Sequence, residues 1–169
     1  FQVATKNTTT GAITTRMSSG MPDLTGLSIS DVATGSTLTL AADTISVVNY
    51  TGAAACAATL PAATAGTIVV YAQAKDTTGG TATLSFDCAG SDVFATGSVI
   101  ESRGSSEVTF DTSAASETLL TFTPADAATN LFTTGSMIAF ICYEDGTYHI
   151  ASKMGGAADA TTGAFAFAS

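Results

Sequence analysis

Positive charge is what this sequence has least of. Five Lys and Arg stand against fourteen Asp and Glu in 169 residues, a formal net charge of −9. The five, Lys6, Arg16, Lys75, Arg103 and Lys153, are scattered and form no patch. Such a chain repels a phosphate backbone, so nucleic acid is not an expected partner. Charge of either sign is scarce, at 11% of residues, where an average domain has roughly 25%. The three cysteines, Cys56, Cys88 and Cys142, are widely spaced and make no CxxC pair. They read as reduced, buried thiols rather than a disulfide framework. No apolar run approaches the roughly 18 residues that span a membrane, and no membrane partner is expected. No secretory leader is visible. Phe1 in place of a starting Met fits either residues removed upstream or numbering from the first ordered one.

The same scarcity limits chemistry. Nucleophilic catalysis needs a base, an orienting group and an oxyanion site. The single histidine, His149, falls in mid-strand and reads as structural, although Cys142 is expected across the ladder from it. There is no HExxH, no Cys/His cluster and no Asp-x-Asp-x-Asp-Gly loop. Asp76, Asp87, Asp92 and Asp145 read as solvated loop acids, with a structural Ca²⁺ as the alternative. Glu101, Glu107 and Glu117 have no aromatic sugar platform beside them, and the chain has no Trp. Gly79-Gly80 and Gly155-Gly156 lack the Lys and helix start of a phosphate-binding loop. The expectation is a non-enzyme with no catalytic, cofactor or metal residues.

What the chain does have is threonine and alanine, 31 of each. Branched Thr suits a pleated, half-buried surface. The alanines cluster beside Thr, Gly and Pro without a helical period. A charge-poor surface of hydroxyls and methyls suits burial in an assembly, because desolvating it costs less than desolvating charges.

Residues 1–26 read as an extended N-terminal arm, 27–154 as the body and 155–169 as a C-terminal tail or added strand. Within the body, strands are predicted over 36–40, 44–50, 92–95, 98–101, 106–110 and 117–122, with 53–58 small and irregular. A hairpin is predicted at 67–86, turning at Asp76-Thr77-Thr78-Gly79-Gly80. Thr123-Pro124-Ala125-Asp126 reads as the start of a short helix ending near Thr133, with Thr123 as N-cap. Asp145-Gly146 marks a second hairpin. A two-residue turn there puts Tyr143 opposite Tyr148, Cys142 opposite His149 and Ile141 opposite Ile150. On that register Ile138, Phe140, Cys142 and His149 share one face. With Phe165 and Phe167 of the tail, which either augments a neighbour's sheet or packs on its own body, they are the candidate subunit interface. The predicted fold is all-β, an antiparallel sandwich or barrel of short strands with one short helix and two terminal arms.

Two segments carry a resemblance. Thr59-Leu60-Pro61-Ala62-Ala63-Thr64-Ala65-Gly66 leading into Thr67-Ile68-Val69-Val70, together with Phe140–Ile150, resembles small β-rich virion proteins of tailed bacteriophages. These are capsid decoration (cement) proteins and head- or tail-fibre domains. The likeness covers about residues 36–152, and Tyr148 stands where that pattern has Trp. It implies a homotrimer or similar oligomer that binds the major capsid protein on the outer surface of the virion and reinforces the lattice. The fibre reading implies receptor binding instead. A cell-surface filament or S-layer-like subunit is the alternative from another class.

Overall fold

The structure is a computed structural model. It describes residues 2–6, 13–17, 28–32, 37–75, 77, 82–103, 108–123, 134–153 and 164–169. Fifteen strands run through them, and among the described residues there is no helix. In chain order they are β1 (Gln2–Lys6), β2 (Ile13–Met17), β3 (Ser28–Val32), β4 (Thr37–Thr39), β5 (Thr44–Val48), β6 (Cys56–Thr59), β7 (Ile68–Gln73) and β8 (Leu84–Asp87). Then come β9 (Val93–Phe94), β10 (Val99–Arg103), β11 (Val108–Thr112), β12 (Leu119–Thr123), β13 (Met137–Glu144), β14 (Thr147–Lys153) and β15 (Ala164–Ala168).

From β3 to β8 the chain alternates between two sheets. β3, β5 and β7 are parallel neighbours in a six-stranded sheet, ordered β3-β5-β7-β13-β14-β9. β4, β6 and β8 are parallel neighbours in a five-stranded one, ordered β15-β12-β8-β6-β4. Antiparallel strands complete each sheet from the later part of the chain, β13 and β14 in one and β12 and β15 in the other. Both sheets are therefore mixed. The expected antiparallel arrangement fails because a strand that leaves its sheet and returns one turn later re-enters in the same direction. Among the described residues β1 pairs with β2 alone, a two-stranded antiparallel pair apart from both sheets. β10 and β11 form another, which lies against β14 on one side and β15 on the other.

The two sheets share one core. Val69, Tyr71, Ile138 and Phe140 of the larger sheet meet Leu84, Phe86, Leu120, Phe122, Phe165 and Phe167 of the smaller. Phe86 stands edge-on to Tyr71 at 5.2 Å and packs on Phe140 at 5.1 Å, so it touches the facing sheet twice. Phe140 continues to Phe94 and Phe94 to Phe167. The buried Gln73 accepts from the Tyr71 hydroxyl and donates to the carbonyls of Tyr50 and Lys75.

Several expectations change. Residues 67–86 are not a hairpin: β7 has β5 and β13 on its two edges, so β8 joins the other sheet and faces β7 across the core. The segment 53–58 is not wholly irregular, since Cys56 opens β6 between β4 and β8. The helix expected after Thr123 falls at 124–133, outside the described residues, and Thr123 itself closes β12. The tail strand β15 pairs with β12 of its own chain and buries Phe165 and Phe167 there.

The second hairpin forms at Asp145-Gly146, one residue out of the expected register. Phe140 faces Ile150, Ile141 faces His149 and Cys142 faces Tyr148, with a bulge between Cys142 and Glu144. Only Gly146 of the turn pair is left-handed, at φ +82°. A two-residue type I′ turn needs both central residues there. The loop keeps two residues, since Glu144 pairs with Thr147; the extra residue is Tyr143 on β13, and this bulge moves every side chain beyond it to the other face relative to its expected partner.

Phe86→Ala should therefore lower unfolding free energy by about 3–5 kcal/mol in urea titration, and Phe86→Leu by less.

Candidate functional site

The register shift separates the one pair that resembled a nucleophile and its base. The Cys142 side chain is buried on the core face, and its thiol donates to the Glu144 carbonyl at 2.9 Å. His149 lies on the outer face, half-buried, with its ring 4.9 Å from that of the exposed Tyr143. All three cysteines are free and buried. Burial pushes the Cys88 thiol up from 9.0 to about 12, helped by Asp92 and Asp87. It raises Cys56 and Cys142 as well. Thiols held protonated are poor nucleophiles and poor metal ligands.

The loop acids have structural work. The 60–67 connection from β6 to β7 leaves its sheet, and carboxylates from two other loops accept from its backbone N–H groups, while a third accepts from the first residue of β7. Asp92 accepts from the Ala63 N–H at 2.6 Å, Asp145 from Ala65 at 2.8 Å, and Asp43 from Ile68 at 3.2 Å. The Asp145-Gly146 turn also docks on this connection, with the Gly146 N–H donating to Ala63 and the Gly66 N–H to Cys142. The Tyr148 hydroxyl donates to the Pro61 carbonyl at 3.0 Å. Two segments singled out in the sequence are thus in direct contact. Among the described residues no group of three or more His, Cys, Asp or Glu is placed to hold a metal. Asp76 lies outside them.

Of the six candidate interface residues, Ile138, Phe140, Cys142, Phe165 and Phe167 belong to the core between the sheets. His149 alone is on an outer surface.

The two outer surfaces differ sharply in chemistry. On the five-stranded sheet the outward positions are Thr37, Thr39, Thr59, Ser85, Asp87, Thr121 and Thr123, a hydroxyl-rich set, with Ala57, Leu119, Ala166 and Ala168 between them. On the six-stranded sheet they include Ile45, Val47, Ile68, Val70, Ala139 and Ile141. On β5 the usual order is inverted: Thr44 and Ser46 face the core, and Ile45 and Val47 face out half-buried. At the rim of this aliphatic face Met137 and Tyr143 are exposed. The strand predicted over 44–50 carried no assignment of faces and gave no signal for this. The second apolar face of the β13–β14 hairpin was the clue available in the sequence.

Comparison with protein-family models, with curated proteins and with solved structures gave no match.

Asp92→Ala should cost about 1–3 kcal/mol by leaving the Ala63 N–H without its acceptor. Asp92→Asn should cost less, both read by urea unfolding. A second expectation concerns alkaline pH. Burial also raises Tyr50 from 10.0 to about 12, and raises Tyr71 and Tyr148. Folded thiols and phenols hold their protons more tightly than unfolded ones, so their contribution to stability is complete below pH 9 and is lost as pH climbs toward 12. The urea midpoint should fall through that window, and fall less in Cys88→Ala relative to its own value at pH 8.

Proposed function

We propose that this chain is a structural protein that works by assembly. It self-associates and binds the outer capsid lattice of a virion as a decoration protein, with the major capsid protein as its partner. The observation that carries the reading is the aliphatic outer face of the six-stranded sheet, set against another outer face on which hydroxyls alternate with small residues. An apolar sheet face of this kind, on a protein with so few charges, suits contact with another protein surface. The resemblance of residues 36–152 to small virion proteins supplies the capsid. Its action would be mechanical: each copy stabilises the subunits it bridges by binding their assembled state, and many weak contacts add by multivalency.

The test is quantitative mass spectrometry of purified particles from the source, with this chain measured against the most abundant coat subunit. A ratio near one, with intact chains released by mild denaturant, is the expected result. A ratio of a few per cent would replace decoration with a fibre or tail role. Absence from particles would overturn the virion reading.

A further inference from the structure

We propose that the outer face of the six-stranded sheet is the contact between two copies of this chain, laid face to face with their strands running in opposite directions. The inference rests on the assembly reading and names the partner of that surface.

The ladders fix which positions lie together. Ile45, Val70, Ala139 and Ala151 form one row across β5, β7, β13 and β14. Val47, Ala72 and Met137 form the next, and Ile68, Ile141 and His149 the one on the other side. No charged residue stands in these rows between β5 and β13. Across the four strands the rows extend about 19 Å at roughly 4.8 Å per strand, and along them about 17 Å. A flat patch of that size covers on the order of 300 Å² per copy and about 650 Å² for two, below the size of a standard specific contact. A weak pair is therefore expected, of the strength that an array multiplies.

Charge selects both the occupant and the orientation. At one end of the strands the face is bounded by Asp43, Glu144 and Asp145, all exposed. At the other end stand two of the chain's five basic residues: Lys75, exposed just beyond β7, and Lys153, the last residue of β14. Asp31 in β3 offsets one of them, so among the described residues this end keeps a small positive excess. Two copies with strands in the same direction set three carboxylates against three. A two-fold axis lying in the interface, across the strands, sets the acidic end of each copy against the lysine end of the other. Such an isologous pair is closed and self-complementary. A three-fold ring would not lay this face on its own copy.

Sedimentation velocity of the full chain over about 5–500 µM, a range that brackets weak association, tests this. Wild type should show a reversible monomer–dimer equilibrium. Ile141→Glu should weaken it at least 10-fold with an unchanged circular dichroism spectrum, and Ala151→Glu, at an already exposed position, does the same if the first variant misfolds. Lys75→Glu should weaken the pair and Lys75→Glu with Glu144→Lys should restore it. A monomer at every concentration, a trimer, or a dimer indifferent to these substitutions would overturn the proposal. The particle measurement separates the two ideas. A chain that is monomeric yet near-stoichiometric in particles removes only the pairing. One that dimerises through this face yet is missing from particles removes only the virion role.

Discussion

The structure depends on how the chain crosses from one sheet to the other between β6 and β7. That connection has to leave a ladder without stranding its N–H groups, because an unpaired buried donor costs as much as a lost hydrogen bond. Asp92 meets the need at the buried Ala63, Asp145 and Asp43 accept at the more exposed Ala65 and at Ile68 where β7 begins, and the Gly146 turn adds a backbone bond. The result is a junction in which four parts of the chain hold one another. Tyr148 ties it to the core, since its ring stands edge-on to Phe140 and its hydroxyl reaches Pro61. The scarce acids of this sequence therefore serve backbone geometry, and several of those that remain exposed edge the aliphatic face.

Much of the local structure was legible. Alternation marked β4, β5 and the strands after residue 92, and the Asp-Gly pair marked the β13–β14 turn. What the residues did not show was which strands become neighbours. Asp76–Gly80 looks like a hairpin turn, and in isolation the flanking strands could pair. Their separation follows from β5 and β13 occupying both edges of β7, which are partners distant in sequence. β6 escaped notice because Cys56-Ala57-Ala58-Thr59 has little intrinsic strand preference. It becomes a strand because small side chains fit between β4 and β8, a case of context overriding propensity.

The site was legible only by half. Both faces of the β13–β14 hairpin are visibly apolar, so an outward apolar surface was foreseeable. Its membership turned on one bulged residue. Asp-Gly marks the turn but not the bulge beside it, and that extra residue on β13 exchanges the faces, sending Cys142 and Tyr148 inward and His149 outward. A single-residue ambiguity thus converted an apparent Cys–His pair into a core thiol and a surface imidazole.

The position of β7 also sets a schedule for biosynthesis. Its parallel partner β5 precedes it, but the strand that covers its other edge, β13, begins only at Met137. As the chain emerges from a ribosome, β7 waits with one edge unpaired while more than sixty further residues, from Lys75 to Ser136, are made. An open edge of Ile68-Val69-Val70-Tyr71 is a template for association between nascent chains. Final closure of the larger sheet then waits for β13 and, being built from distant pairings, is slow. A cell making this protein in quantity would have to keep newly made chains apart during that interval.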